Sequence, residues 1–208
     1  MNEITLKGRL TNVRPSHKVG DIEYYAANLI CKRETMDKDD TVDVVFKKLC
    51  FPYDETELDS ITLTGNIRSF SEKVNGKNNV SIYVFTYFDH PTEMYEGESN
   101  HFEIDGRICK KEDIYVSPKG KRSIHFIVAN NIVAKTGSAK LNSYLPSVAW
   151  GDMATKVNAY NVGDIVHITG ELHSREYSKE IDGEMQICVA HELYITDITS
   201  KVEDTNAV

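Results

Sequence analysis

An internal repeat constrains the fold of this chain more than any other feature of its sequence. Four short segments recur in the same order, each with its glycine and apolar residues in matching places. The spacing between partners is 98 residues for the first two pairs and 105 for the third. Self-similarity of this kind indicates repeated structural units, so we expect two copies of one fold. The pairs are ITLKGRL (4–10) with FEIDGRI (102–108), NLICKR (28–33) with FIVANN (126–131), ITLTGNI (61–67) with IVHITGEL (165–172), and NGKNNVSIYV (75–84) with DGEMQICV (182–189).

Each copy contains about five runs in which apolar and polar residues alternate, and this pattern is typical of half-buried strands. Turn-forming sequences such as RPSHKVGD (14–21) and VSPKGKR (116–122) separate the runs. The growth in spacing places an insert in the second copy, where residues 152–161 predict a short helix begun by an Asp152 cap and ended by Gly163. The equivalent segment 51–59 contains Pro52 and predicts a loop or a single turn.

Five strands with a helix between the third and fourth follow the order of an OB-fold, a small Greek-key barrel. The sequence therefore predicts an all-β protein of two tandem OB-folds. The first spans residues 1–89 and the second, which carries the helix, spans 101–198. A polar linker at 90–100 (HPTEMYEGESN) joins them, and residues 199–208 form a short tail.

Composition excludes several classes of function. Apolar runs reach about four residues, far short of a membrane span, and no secretory signal precedes the first strand, so a cytoplasmic protein is expected. The four cysteines are widely separated, which predicts neither a disulfide framework nor a metal site, and no cofactor is expected. No GxSxG, phosphate-loop or HExxH motif is present, so we expect no enzyme.

The net charge of −8, from 24 basic and 32 acidic residues, argues by itself against a nucleic-acid partner. Nucleic-acid binding depends on neutralising phosphates. A basic groove on one face is nevertheless compatible with an acidic opposite face. The charge therefore leaves both possibilities open.

The second copy resembles the bacterial single-stranded DNA-binding protein family. Trp150-Gly151, the segment DMATKVNAY, the turn Val162-Gly163-Asp164 and HITGELHSREY match the family's pattern in order and spacing, as do GRI (106–108) and FIVA (126–129). The resemblance covers essentially all of 101–198. Residues 1–89 match more faintly, through GRL (8–10) and TGNIRSF (64–70).

The resemblance implies sequence-independent binding of single-stranded DNA, with RNA also open, by stacking bases on aromatic rings. Its three stacking positions fall on Tyr144, Trp150 and Tyr177. Tyr144 and Trp150 are six residues apart on one strand, so they share a face. Trp150 has a second interpretation, as a core residue that fills the junction between strand and helix. In the first copy, where a shift of one residue changes the face, the candidates are Phe46, Phe51 and Phe70.

Basic residues near these aromatics are candidate phosphate contacts, although each is also compatible with an ordinary solvated charge. Arg9 and Arg107 stand at equivalent positions in the two copies and either contact phosphates or form salt bridges across the sheet. His173 and Arg175 match the family's basic element after the fourth strand. The candidates are Arg9, Lys47, Lys48, Arg107, Lys119, Lys121, Arg122, His173 and Arg175.

Departures from the family pattern keep a second function open. Asp152 stands where a basic residue usually follows the aromatic-Gly pair, and the chain ends in KVEDTNAV in place of the family's acidic, phenylalanine-ended tail. These differences imply a specialised, phage- or plasmid-borne member acting in DNA replication, recombination or repair. Pairing of two chains as a homodimer would give four folds. The alternative is a protein-interaction or primosome-type accessory module with weak or no nucleic-acid binding.

Overall fold

The computed structural model describes residues 1–33, 38–51, 57–74, 77–86, 100–133, 140–181 and 184–201, and within them the dominant element is the β-strand. One short helix, α1, and one 3₁₀ turn, at Lys48–Cys50, accompany the strands in these ranges. The strands are β1 (Asn2–Val19), β2 (Ile22–Lys32), β3 (Asp39–Lys47), β4 (Leu58–Val74), β5 (Lys77–Thr86), β6 (Asn100–Lys111), β7 (Tyr115–Val116), β8 (Arg122–Val133), β9 (Lys140–Trp150), β10 (Ile165–Ile181) and β11 (Glu184–Ser200); α1 is Asp152–Asn158. No helix in the described ranges is long and apolar enough to cross a membrane.

The chain divides into two compact units, which do not follow a single cut in the sequence. The N-terminal unit contains Glu3–His101 together with Leu172–His191, the outer parts of β10 and β11. The C-terminal unit contains Met1–Asn2, Phe102–Glu171 and Glu192–Val208. Most of the predicted linker lies outside the described residues; Asn100, its last residue, begins β6.

The N-terminal unit contains a closed five-stranded barrel. Its strands follow the order β2-β3-β5-β4-β1, and β1 also pairs with β2, which closes the sheet. The β3–β5 contact is parallel, with Val44 opposite Val84, whereas the pairs β1–β2, β1–β4, β2–β3 and β4–β5 are antiparallel. This order and closure are those of an OB-fold.

The C-terminal unit repeats this arrangement. The order is β6-β10-β11-β9-β8, the barrel closes through pairing of β6 with β8, and β7 adds an edge strand beside β8. Again the third and fifth strands are parallel, with Ser147 opposite Leu193. Helix α1 lies between β9 and β10, the third and fourth barrel strands, as the sequence predicts.

The close approach of neighbouring strands explains why the two copies have glycine at matching positions. A Cβ atom on Gly8 would lie 2.1 Å from the carbonyl oxygen of Ile30, and one on Gly170 would lie 1.9 Å from that of Tyr194. At Gly65 and Gly106 the nearest atoms of the adjacent strands would lie 2.5 and 2.3 Å from such a Cβ. These positions therefore admit only glycine, because the strands of a small barrel approach each other too closely there for any side chain.

The pairing registers correct one part of the repeat alignment. Arg9 lies opposite Ile30 on β2, and its counterpart Arg107 lies opposite Ala129 on β8. Ile30 is thus equivalent to Ala129, a spacing of 99 residues and not the 98 predicted for 28–33 and 126–131. The paired positions are 21 residues apart in the first copy and 22 in the second, so the second copy has one more residue between its first two barrel strands.

Helix α1 also differs in detail from its sequence prediction. It ends at Asn158, and its N-cap is Gly151, at φ 58°, with no side-chain cap hydrogen bond. The predicted cap by Asp152 is therefore wrong: its carboxylate instead accepts a hydrogen bond from Arg122. In the first copy the 3₁₀ turn at Lys48–Cys50 precedes the predicted loop, of which residues 52–56 lie outside the described part of the chain.

A buried polar cluster holds the outer part of β10 inside the N-terminal unit. Asp40 on β3 has no exposed side-chain surface and accepts a bidentate pair from Arg33 at 2.8 and 2.6 Å. Its Oδ1 also accepts hydrogen bonds from the backbone N–H and the hydroxyl of Ser174. Arg33 donates to the carbonyl of Ser174 at 2.9 Å, so both ends of the ion pair bind the same residue.

Candidate nucleic-acid interface

The outer face of β9 presents two aromatic rings. Ser143, Leu145, Ser147 and Ala149 are buried, whereas Tyr144 is 48% exposed and Trp150 is 43% exposed. Val148, between the two rings on their own side of the strand, is also buried. The two rings therefore share the solvent side, as period two predicts. At 3.3–3.4 Å per residue their Cα atoms are about 20 Å apart. Trp150 does not fill the barrel core.

A shallow groove lies on the same face between the two aromatic positions. On β8, Ile127 lies opposite Pro146 and His125 lies opposite Val148, so both point to the side that Tyr144 and Trp150 share. The groove is lined by Lys110, Glu112, His125, Phe126, Ile127, Pro146, Ser147 and Glu192. Its floor is apolar, and its rim carries Lys110 together with the carboxylates of Glu112 and Glu192.

A third exposed aromatic residue, Tyr115, lies in line with Trp150. Tyr115 on β7 is opposite Ser123 on β8, and Ser123 is opposite Trp150 on β9. Ser123 is small and 2% exposed, whereas Tyr115 is 60% exposed. Two strand spacings separate the aromatic Cα atoms by about 10 Å.

The cations of the second copy have different surroundings. Lys119 and Lys121 are exposed in the turn between β7 and β8, next to the strand that carries Tyr115. Arg107 is exposed on β6 and donates to the carbonyl of Gly163 at 2.6 Å. Lys110, which the sequence did not single out, lines the groove and pairs with Glu112 at 3.2 Å.

Arg122 is bound by acidic and hydroxyl groups close to Trp150. Its guanidinium donates to Asp152 at 2.8 Å and to the hydroxyl of Thr155 at 2.9 Å. Asp152 is fully exposed, so the pair is open to solvent. The carboxylate removes the net charge of the predicted phosphate contact at this end of the face.

The remaining candidates of the family pattern lie in Leu172–His191, which belongs to the N-terminal unit. Tyr177 is half-buried and Arg175 is exposed, with the guanidinium carbon 5.8 Å from the centre of the Tyr177 ring. His173 is 8% exposed. A histidine with so little accessible surface cannot bind a phosphate in this conformation, so the structure corrects that assignment.

The phenylalanine candidates of the first copy have three different environments. Phe46 is fully buried, because its position on β3 faces the barrel core, so it offers no ring face to a base and the structure corrects that candidate. Phe51 is half-buried with its ring 4.9 Å from that of Phe46. Phe70 is 57% exposed on β4 and remains available.

Among the first-copy cations, Lys48 is exposed and binds Glu23 at 2.9 Å. Lys47 is half-buried at the end of β3, and Arg9 is exposed on β1.

The sequence did not indicate Tyr24 and Tyr25 on β2, nor Tyr115 and His125 in the second copy. A period-two count along IHFIV (124–128) would have placed His125 outward, since Ile124, Phe126 and Val128 are its apolar alternates.

Comparison with known proteins agrees with this architecture. Residues 99–199 match the model of the single-strand binding protein family. The second copy belongs to that family. No curated protein sequence matches the chain significantly. The predicted family is therefore confirmed on the copy that carries Tyr144 and Trp150.

Solved structures are similar over both copies. The wild-type single-stranded DNA binding protein from Thermus aquaticus aligns with a TM-score of 0.72 and 14% identity, covering 100% of this chain and 96% of that chain. A deletion mutant of the same protein gives 0.72 and 16%, covering 98% and 96%. The protein priB from Ralstonia solanacearum covers 49% of this chain and 96% or more of its own at 14% identity or less, with a TM-score of 0.38 or less. The Thermus aquaticus alignments confirm the all-β fold.

The single-strand binding family match also agrees with a binding role in place of an enzymatic one. Within the described residues no three His, Cys, Asp or Glu side chains are arranged to hold a metal ion. The four cysteines are free thiols, and burial raises the pKa of Cys31 to about 12. The thiol of Cys31 is thus protonated and inert at neutral pH.

Proposed function

We propose that this protein binds single-stranded DNA without sequence preference, and that bases stack on Tyr144 and Trp150. The observation that carries the proposal is the exposure of both rings on one face of β9, on either side of a groove. Every base has a flat π-face, so stacking on such a platform tolerates any sequence. Because the rings are about 20 Å apart, they bind non-adjacent bases, and the groove at Pro146 and Ile127 accepts what lies between.

Phosphate contacts come from the cations around this face. Arg107, Lys110, Lys119 and Lys121 are exposed on the strands and turn that surround it. If each neutralises one phosphate, the slope of log K against log salt is about −3 for a single strand. Binding then weakens about 50-fold between 50 and 200 mM salt.

The direct test is a titration with oligo-dT of a few tens of nucleotides, followed by intrinsic fluorescence. Trp150 is the chain's only tryptophan, so the signal reports this position alone. Stacking quenches it, and the apparent affinity falls with salt at the slope given above. An oligonucleotide that neither quenches Trp150 nor shifts the protein's mobility at low salt would contradict the proposal.

Two variants distinguish a role of Trp150 in DNA binding from a role in the stability of the fold. Trp150→Ala removes a stack worth about 1–3 kcal/mol, so affinity falls about 5- to 150-fold. Val162→Ala, an exposed apolar residue in the turn after α1, is the matched control and leaves affinity unchanged. Unfolding of the Trp150 variant, measured by circular dichroism, would instead assign that ring to stability.

Coverage of single strands regardless of sequence is needed in DNA replication, recombination and repair, and we propose a role there, including the phage- or plasmid-borne setting. We further propose that two chains associate into a homodimer with four OB-folds. Sedimentation equilibrium distinguishes a 23.5 kDa monomer from a dimer of twice that mass. A monomer at all concentrations would contradict the assembly and leave DNA binding untouched.

One observation favours a protein partner as the second candidate function. Glu112 and Glu192 line the groove between the aromatic positions, and Asp152 is exposed beside Trp150. Carboxylates repel phosphates but suit a basic peptide. A Lys-rich peptide that binds this face, where oligo-dT does not, would support the interaction module.

A further inference from the structure

The strand registers show that the two copies carry their aromatic side chain on different strands of the outer face. In the C-terminal unit Ser123 on β8 lies opposite Trp150 on β9. At the equivalent place in the N-terminal unit Tyr24 on β2 lies opposite Lys47 on β3. The first copy thus has its aromatic ring on the second strand of the barrel, not the third, with a cation beside it.

Tyr24 belongs to a compact aromatic group. It lies opposite His17 on β1, and the two rings stack with centroids 4.7 Å apart and planes 3° from parallel. Its other neighbour is Phe85, at 6.1 Å and 52°. A groove beside this group is lined by Pro15, Ser16, His17, Lys18, Glu23, Tyr24, Tyr25 and Lys48.

Glu23 lies between two cations of this groove. Its carboxylate contacts the ammonium of Lys18 at 2.5 Å and that of Lys48 at 2.9 Å, one oxygen for each. Hydrogen bonds from Lys18 and Lys48 lower the pKa of Glu23 to about 2, so the carboxylate is ionised throughout the neutral range. Lys48 also lies 5.6 Å from the centre of the Tyr25 ring.

We propose that Lys18 and Lys48 form a phosphate-binding site in the N-terminal unit, which Glu23 occupies in the free protein and a phosphate of single-stranded DNA takes over. The inference rests on the proposed function, and it adds a second site controlled by the chain's own carboxylate. A phosphodiester and a carboxylate each carry one negative charge and present oxygens to two ammonium donors. A base further along the same DNA strand stacks on the paired rings of His17 and Tyr24, which point to the opposite face of the β1–β2 hairpin from Lys18 and Glu23 because successive side chains of a strand alternate.

This phosphate site is weak, because the phosphate must displace the Glu23 carboxylate from the two lysines. All three side chains of the ion pairs are partly or largely exposed, at 68% for Lys18, 51% for Lys48 and 34% for Glu23. Exposed pairs are screened and easily opened, so the carboxylate competes with DNA but does not block it. DNA held elsewhere on the same chain raises the local phosphate concentration and favours the exchange.

The test compares Glu23→Gln with wild type in a Trp150→Ala background, which weakens the proposed site on β9. Fluorescence anisotropy of a labelled oligo-dT at 50 mM salt gives the affinity. Glu23→Gln keeps the side chain's size and removes the competing charge, so binding is about two- to fivefold tighter. Asp197→Asn is the matched control, because it removes one acidic charge paired with a lysine at 2.5 Å on the C-terminal unit, and it leaves affinity unchanged.

Replacement of both Lys18 and Lys48 by alanine in the Glu23→Gln protein abolishes the gain if those lysines hold the phosphate. An equal gain from Asp197→Asn, or a gain that survives loss of both lysines, would overturn the site and reduce the effect to net charge. Quenching of Trp150 in the wild type with no effect of Glu23→Gln defeats this inference alone. Absence of quenching defeats the proposed function itself.

Discussion

At the scale of single residues, the surroundings of Trp150 set how strongly its face can bind an anionic strand. Ser123, directly opposite Trp150, is buried, and Tyr115 lies one strand further on with most of its ring exposed. Asp152, two residues along the chain, binds the nearest arginine, Arg122. The same corner therefore combines a stacking surface with a neutralised cation.

Asp152→Asn is expected to tighten DNA binding. The change removes the charge that holds Arg122, so the guanidinium can contact a phosphate, and affinity rises about two- to fivefold at low salt. The slope of log K against log salt becomes steeper by about 0.7, the value for one added contact to a single strand. Titrations of both proteins at four salt concentrations measure this, and equal slopes would show that Arg122 makes no phosphate contact.

Tyr115→Ala is expected to weaken binding about 5- to 150-fold, the range for loss of one stacked base. The ring is mostly exposed, so the thermal midpoint of unfolding should not change. Tyr115→Phe keeps the stacking surface and retains affinity. Val116→Ala serves as the control, since Val116 is similarly exposed on the same two-residue strand but points to its other face. Equal affinities for the Ala variants would exclude Tyr115 from the interface.

The sequence predicted the face shared by Tyr144 and Trp150 because period two is a property of the strand itself. It could not decide Phe46, since a strand of unknown register offers two equivalent faces. It missed Tyr115 and Tyr24 for another reason. Their importance depends on which residue lies opposite on the neighbouring strand, and that pairing is a tertiary property.

At the scale of elements, the repeated glycines mark where neighbouring strands approach most closely. Gly8 and Gly65 in the first barrel have counterparts in Gly106 and Gly170, and each faces backbone or side-chain atoms of the adjacent strand. The order of strands and the helix after the third could be predicted from the sequence. The strand registers could be predicted only in part, because the second copy has one more residue between its first two barrel strands than the first copy has.

Gly170→Ala is expected to destabilise the protein by at least about 1–3 kcal/mol. Its Cβ would overlap the carbonyl of Tyr194, and β10 and β11 would have to separate to admit it. Urea unfolding followed by circular dichroism measures the loss. Gly20→Asn is the control: Gly20 has open space around it and φ 58°, a conformation that asparagine tolerates, so its effect is small. Equal unfolding midpoints for Gly170→Ala and wild type would contradict the close approach.

At the scale of the whole molecule, the N-terminal unit is assembled from two distant parts of the chain. Residues 3–101 supply the barrel and 172–191 supply the outer hairpin segment. Asp40 and Arg33 bind Ser174, and His191 lies 2.7 Å from the carbonyl oxygen of Thr41. The sequence repeat does not predict this association, because it joins residues 172–191 of the second copy to the first copy, whereas a repeat only relates equivalent residues of the two copies.

The stability of this association is expected to depend on acid. Burial would raise the pKa of Asp40, but hydrogen bonds from Arg33 and Ser174 outweigh it and hold the pKa below its ordinary value. A lowered folded-state pKa contributes stability that is complete above about pH 4, the unfolded value, and is lost as pH falls through the folded value. Urea midpoints between pH 6 and 2 should show this loss.

Asp40→Asn should remove the part of that acid dependence that Asp40 contributes, while Glu23, Asp105 and Asp197, whose pKa values are also lowered by cations, keep theirs. The change should cost about 3–5 kcal/mol at pH 7, since Arg33 is left as a buried charge without its partner. Asp59→Asn, at an exposed position on β4, is the control and keeps the wild-type profile. A profile for Asp40→Asn that still falls as steeply below pH 4 would place the acid-sensitive group elsewhere.

The discontinuous N-terminal unit has a consequence for biosynthesis. A ribosome that has completed the first barrel's strands at Thr86 must still translate about 105 residues before His191 is made, which takes roughly 5–20 s at 5–20 residues per second. During that interval the nascent chain carries Asp40 and Arg33 without the bonds that Ser174 later supplies. The half of the protein that is synthesised first is thus completed only when the second half has been almost fully translated.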